Sequence, residues 1–282
     1  MSISVLKRIQ EKFQDLSPKH RKIAEYISNH YDRVAFQTAK ELAHDLGVSE
    51  ATVTRFAVAL GYEGYPEMVR ALGELVRNRI TTVDRLEISL QTPKGAILRD
   101  VMDRDIANIK QTLEGQDPAN FQEAVNKIVQ AKRIIIVSFR SAAALGVFLE
   151  FYLQILKKNC KLVKSSDVMI NELADVGPDD LVIGISFARY TRQTVEGLRF
   201  AKERRAQRIA ITDSNTSPLA IHGDTVLLAQ RDMSSFIDSF VAPLSLINAL
   251  IVAVGTENSA HTRASFRELE ALWKQYHVYY GE

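Results

Sequence analysis

Residues 39–59 read AKELAHDLGVSEATVTRFAVA, and this stretch organises the reading of the whole chain. Leu42, Leu46, Val48, Val53 and Phe56 fall where one short helix packs on the next, and Ala43 is small where the two axes would come closest. Gly47 stands at the turn, where a left-handed backbone favours glycine. Ser49 follows as a residue whose side-chain oxygen takes up an unpaired N–H at the start of the second helix. This is the residue order of a helix-turn-helix. Ser49, Glu50, Ala51, Thr52, Thr54 and Arg55 open the second helix and are the residues expected to meet the major groove of a double-stranded DNA operator.

Around this pair the first 80 residues read as all-helical. Ile3, Leu6, Ile9 and Phe13 recur at helical spacing, and Ser17-Pro18 pairs a capping residue with proline at the first helical position. Ile23, Ala24, Ile27 and Tyr31 continue the apolar stripe. After the helix-turn-helix, the turn Gly61-Tyr62-Glu63-Gly64-Tyr65-Pro66 leads into a helix ending near Arg79. Its tyrosines either touch phosphates or pack the turn.

The chain has 282 residues, 46% hydrophobic and 25% charged, so two soluble domains are expected. The first 80 residues hold 12 Lys+Arg against 10 Asp+Glu, and the remainder is neutral. That is a weak electrostatic footprint for DNA, which groove contacts and dimerisation would have to supplement. A single cysteine, Cys160, excludes an internal disulfide and fits a reducing compartment. Nothing at the N-terminus resembles a signal peptide, so a cytoplasmic protein is expected. The longest apolar run, Phe240 to Gly255, is interrupted by Pro243, Ser245 and Asn248 and is expected to be a buried helix, not a membrane span. The six histidines are scattered without ligand spacing, so neither a metal nor a cofactor is expected.

Residues 1–80 are thus assigned to the helix-turn-helix domain, 81–116 to a linker and connecting helix, and 117–282 to a second domain. The linker is polar and carries the breaker Thr92-Pro93-Lys94-Gly95; the helix, near 96–113, has an apolar stripe of Ile97, Val101, Ile106 and Ile109 that needs covering. From Asp117 onward short apolar runs alternate with helical segments. The runs are Ile134–Val137, Leu162-Val163, Leu181–Ile185, Ile209–Ile211 and Val226–Leu228; helices are expected at 142–157, 191–204 and 236–254. Runs rich in Ile and Val without strict alternation suit strands buried on both faces. The fold class expected is an all-α helix-turn-helix domain followed by an α/β domain with a mainly parallel five-stranded sheet flanked by helices.

In such a sheet a ligand binds beyond the carboxyl ends of the strands, where connections leave in opposite directions. The loops there supply Ser138, Arg140 and Ser141 after the first strand, Ser186, Arg189 and Thr191 after the third, and Thr212 and Ser214 after the fourth. Hydroxyls beside helix N-terminal amides, with two arginines, make a site for a small anionic metabolite.

The arrangement resembles the RpiR family of bacterial transcription regulators, in which a helix-turn-helix precedes a sugar isomerase (SIS) domain. The matching stretches are Leu16–Ile27, Glu41-Leu42-Ala43 through Phe56, Leu60-Gly61-Tyr62 through Tyr65, Ile185-Ser186-Phe187, Tyr190-Thr191, and Ile211 through Ser214 with Ser217-Pro218-Leu219-Ala220. The resemblance implies that the second domain senses a phosphorylated sugar or related metabolite and modulates operator binding. The chain departs from the family at the phosphate loops. Family members are usually glycine-rich where this chain has Ser138, Arg140 and Ala142, and usually carry serine and glycine where it has Ala188 and Arg189.

Two other readings stand beside this one. SIS domains also occur in phosphosugar isomerases, for which Glu172 and His222 are the nearest acid–base candidates. Alternatively, the second domain only dimerises. A homodimer or homotetramer is expected in any case, with the helices near 96–113, 236–254 and 262–273 as candidate interfaces.

Overall fold

The computed structural model describes residues 5–35, 37–79, 81–90, 93–156, 159–231, 236–257 and 259–281. Ile3 and Thr92 lie outside them. The chain divides into two units, Met1–Arg85 and Leu86–Glu282.

The first unit is helical: α1 (Val5–Lys12), α2 (Pro18–Val34), α3 (Ala39–Leu46), α4 (Glu50–Ala59) and α5 (Tyr65–Arg79). Thr38 closes the start of α3 in a capping box, accepting the Glu41 N–H at 3.2 Å while its own N–H donates to Glu41 Oε2 at 2.7 Å. Those bonds hold the Glu41 carboxyl below its usual range. Gly47 ends α3 at φ +63°, so the turn takes the conformation that glycine adopts without a Cβ penalty. Leu42, Leu46, Val53 and Phe56 are buried with Ile23, Ile27, Met68 and Leu72 into one core. Half-buried His20 meets Phe56 edge-on, with centroids 5.7 Å apart. Cations finish the helix ends: Lys22 donates to Leu46 O, Lys12 to Ala59 O (both 2.8 Å) and Arg8 to Gly61 O at 3.0 Å. Both turn tyrosines pack. Tyr65 is buried, donates to Gln37 O at 3.1 Å and has its pKa raised by that burial, while Tyr62 lies under the Arg8 guanidinium.

Residues 82–90, expected as polar linker, form a further helix, α6 (Thr82–Leu90). The run TVDRLEISL has no glycine or proline to interrupt it, and its apolar residues return at helical spacing.

The second unit is built on five parallel strands: β1 (Arg133–Val137), β2 (Cys160–Val163), β3 (Asp180–Ile185), β4 (Gln207–Thr212) and β5 (Thr225–Leu228), in the order β2-β1-β3-β4-β5. Its helices are α7 (Ile97–Glu114), α8 (Pro118–Gln130), α9 (Ala143–Leu156), α10 (Met169–Leu173), α11 (Arg192–Glu203), α12 (Val241–Glu257) and α13 (Ser259–Gln275). Alternate strand residues serve opposite faces. Ile134, Ile136, Leu181, Ile183, Ile209 and Ile211 meet α8, α9 and α12, while Ile135, Val137, Val182 and Ala210 meet α10 and α11. Burial on both sides explains why the strand runs lack polar alternation.

Both sheet edges are closed by side chains from neighbouring helices and, at β5, from the α7–α8 connection. At β2, Glu150 accepts the Leu162 N–H at 2.7 Å and Gln154 donates to Cys160 O at 3.0 Å. Burial, with Glu150 beside it, pushes the Cys160 thiol up to about 12, so this cysteine packs as a neutral thiol. At β5, Thr112 accepts the Gln230 N–H at 2.8 Å and Gln116 donates to Leu228 O. The helix read as a connector is therefore integral to the second unit. It turns Asn108 and Thr112 inward and leaves Ile97, Val101 and Ile106 exposed.

The 240–255 run forms α12, with Ala242, Leu246, Ile247, Leu250 and Val254 buried. Among the described residues no single helix is long and apolar enough to cross a membrane.

Candidate functional site

On α4 the exposed residues are Glu50, Ala51, Thr54, Arg55 and Val58, a stripe at helical spacing along the face turned away from the core. Ser49 caps the helix: its oxygen accepts the Thr52 N–H at 3.3 Å and lies 2.8 Å from Thr52 Oγ1. Thr54 bonds back to Glu50 O at 3.2 Å. Thr52 departs from expectation. It is 8% exposed, its hydroxyl is taken by Ser49, and Arg55 reaches it at 3.5 Å. Its backbone position turns it towards the core, where its hydroxyl also accepts from Arg55. Val58 is on the exposed face although its apolar character gave no sign of it. His20, from α2, lies close enough to Arg55 that burial and then that guanidinium hold its pKa low.

In the second unit β1 connects towards β2 at one edge, whereas β3 connects towards β4 on the other side. The crevice between the β1 and β3 carboxyl ends is therefore the switch point of the sheet. The loops expected to form a site all lie at this edge. Ser138 is buried and donates to Ile185 O at 3.2 Å, tying the ends of β1 and β3 together. Ser186 is also buried and accepts the Thr191 N–H at 3.1 Å. The Thr212 hydroxyl donates to Ser217 Oγ at 3.1 Å with no exposure at all. Each of these three hydroxyls makes a bond that shapes the loops. Ser214 pairs with Thr216 at 2.8 Å in the next turn. Thr191 stands at the start of α11 half-buried and makes no side-chain cap.

Arg140 and Arg189 are exposed at the crevice, and both have left-handed backbones, with φ of +58° and +61°. The two loops thus keep a conformation suited to glycine while placing a cation at each bend, at a cost of roughly 1–2 kcal/mol apiece. Gly146, on α9 behind the first loop, explains how closely that helix approaches: a Cβ there would stand 2.8 Å from Leu162 Cδ1 and 3.2 Å from Ser138 Cβ.

Sequence reasoning missed three residues that bind these loops together. Asp213 accepts the Ala188 N–H at 3.2 Å and the Tyr190 hydroxyl at 2.8 Å. Arg231, with a side chain 1% exposed, donates to Ala188 O at 2.9 Å and pairs with Asp238, which takes the Ser141 hydroxyl at 3.5 Å. Arg231 and Asp238 follow the last strand and belong to no motif, and an acid such as Asp213 is not what a search for anion donors selects.

The acid–base candidates lie elsewhere. Glu172 is 2.7 Å from Lys161 Nζ, in an ion pair on the second residue of β2. His222 sits beside the amino end of β4, where its carbonyl accepts Arg208 Nε at 2.8 Å; this is the edge opposite the loops. Among the described residues no three His, Cys, Asp or Glu side chains gather as metal ligands.

A helix-turn-helix unit followed by a parallel-sheet unit of this topology defines a class of DNA-binding transcriptional regulators, and comparison with known proteins agrees. Residues 3–78 match the model of the helix-turn-helix domain of the rpiR family, and residues 127–253 match the SIS domain. The HTH-type transcriptional regulator HexR of Escherichia coli is 26% identical over 97% of this chain and 95% of its own length. The sugar isomerase domain of the RpiR transcription factor from Sphaerobacter thermophilus is 32% identical with a TM-score of 0.61, covering 62% of this chain and 99% of that one. Vibrio vulnificus NanR, solved in complex with ManNAc-6P, shares the fold at 22% identity and a TM-score of 0.61, over 96% of this chain and 98% of its own. The chain belongs to the RpiR family and is a transcriptional regulator with a C-terminal SIS domain.

Proposed function

We propose that the SIS unit senses a phosphorylated sugar or related anionic metabolite at the carboxyl ends of β1, β3 and β4, and that its occupancy changes operator binding by α4. The observation that carries this reading is the crevice itself: two exposed arginines, Arg140 and Arg189, flank the switch point beside Ser141, Thr191 and the N-terminus of α11. The complex of the related NanR fold with a sugar phosphate supports the ligand class. Ser49, Glu50, Ala51, Thr54 and Arg55 are the residues assigned to DNA. The protein acts in the cytoplasm as a regulator without isomerase turnover, a reading supported by relatives named as regulators and by the placement of Glu172 and His222.

A homodimer on a two-fold operator fits this role, since one recognition helix buries too little surface for high specificity. The exposed apolar residues of α7, among them Leu98 and Met102, favour that helix as part of the interface.

The test is a titration of operator binding, followed by fluorescence anisotropy, with a panel of sugar phosphates, sugar acids and their phosphates. The expected result is a shift of operator Kd by about 5–150-fold with the best ligand. An unchanged Kd across the panel rejects the sensor reading, and a monomer in sedimentation at micromolar concentration, with and without DNA, rejects the dimer.

A further inference from the structure

Arg231 is the most enclosed cation at the crevice. One guanidinium nitrogen donates to the Ala188 carbonyl at 2.9 Å, its Cζ lies 5.9 Å from the Phe187 ring centroid, and another nitrogen pairs with Asp238 Oδ1. The second oxygen of that carboxylate, Oδ2, takes the Ser141 hydroxyl at 3.5 Å. The Asp238 side chain is 24% exposed while that of Arg231 is 1% exposed. A carboxylate reachable from solvent is thus held between a buried guanidinium and a hydroxyl of the loop after β1. A bound anion is held by the same kinds of donor.

We propose that Arg231 and Ser141 are the fixed parts of an anion subsite, that Asp238 occupies it in the ligand-free protein, and that a phosphate or carboxylate group of the ligand replaces Asp238 there. The inference rests on the crevice being the effector site and adds to it a buried cation and an internal competitor. Its physical basis is the cost of a buried cation left without an anion, which is large compared with the cost of exchanging one anion for another. Asp238 keeps Arg231 compensated until the ligand arrives.

Displacement would also be felt beyond the crevice. The neighbouring Ser239 bonds Asp105 on α7, and the Phe240 ring lies 5.7 Å from Phe187, immediately before α12 begins at Val241. Releasing Asp238 loosens the anchor of both helices. The ligand is thereby coupled to α7, the first long helix after α6.

The experiment is a thermal melt of the full chain titrated with inorganic phosphate, against sodium chloride at matched ionic strength, for wild type, D238N and D238S. An internal competitor raises the apparent dissociation constant by the reciprocal of the competent fraction. Both variants are expected to melt lower than wild type in chloride, to recover on adding phosphate, and to reach half-saturation at about tenfold lower phosphate than wild type. Adding S141A to D238N should remove most of that gain. If D238N does not fold in chloride, recovery of its far-UV circular dichroism on refolding into phosphate is the supporting result. A loss of stability with no phosphate-specific recovery, or a phosphate requirement equal to or above that of wild type in both variants, overturns the proposal and leaves Asp238 as a structural partner of Arg231. An operator response to sugar phosphates in wild type, without the phosphate gain in the variants, overturns this subsite alone. Absence of both overturns the sensor reading with it.

Discussion

Tyr190 donates its hydroxyl to Asp213 Oδ1 at 2.8 Å, and so joins the loop after β3 to the loop after β4. The other oxygen of the same carboxylate holds the Ala188 N–H. One acid therefore sets the path of the bend that carries Arg189. Asp213→Ala removes the bonds from Ala188 and Tyr190, with a longer one from Thr212, and should cost about 1.5–3 kcal/mol of stability, measured by urea denaturation. It should also weaken ligand binding, because the loop at Arg189 loses its anchor. Unchanged ligand affinity in a folded D213A protein would separate this loop from the effector site.

Arg55 and Thr52 are adjacent in space but have different roles. Arg55→Ala should weaken operator binding by about 1–3 kcal/mol if the guanidinium contacts a base edge, with little change in melting temperature. Thr52→Val keeps the side-chain shape and loses the bond to Ser49, which should cost stability of about 1 kcal/mol. Its effect on operator affinity should be the smaller of the two. Anisotropy and thermal melts on both variants check the contrast, and the reverse order would place Thr52 at the groove.

Arg140 holds a left-handed backbone without being glycine. Arg140→Gly relieves that conformation but adds freedom to the unfolded chain, so a net gain of about 0.5–1 kcal/mol is expected. Ligand affinity should move the other way, because the bend loses its cation. A variant that is less stable and binds ligand as well as wild type would show that Arg140 serves packing.

Burial, and after it the Arg55 guanidinium, hold His20 below the ordinary imidazole value of 6.5, and burial followed by Lys202 does the same to His222. A lowered folded pKa means that the unfolded chain binds the proton more readily. Stability from the neutral imidazoles is therefore full above the unfolded pKa and is lost as pH falls through the folded values. Urea midpoints should fall from about pH 7 to about pH 5, and His20→Gln should flatten part of that fall. An identical pH profile in the H20Q protein would remove His20 from the account.

Much of the fold was legible because its signals are local. The spacing of Leu42, Leu46, Val53 and Phe56, the Gly47 turn and the Ser49 cap each involve residues within a few positions of one another. Short Ile- and Val-rich runs separated by helical segments likewise located all five strands. Strand order was not legible, since nothing within a β-strand says which neighbour it will pair with. The 82–90 helix is hard to read from sequence because its polar composition outweighs its periodicity.

The site divides along the same line. The sequence by itself determined that hydroxyls and arginines would gather beyond the strand ends, because each loop follows its strand directly. Only the tertiary structure decided which of them face outward. Ser138, Ser186 and Thr212 are turned inward to bond within and between loops, and Thr52 is turned towards its own cap. Tertiary folding alone brought Asp238 to Ser141 across 97 positions of chain and placed both beside a buried Arg231. The physical reason is that helical and strand periodicity are written into neighbouring residues, whereas burial of a polar group and the choice of its partner depend on which distant segments the packed core brings together.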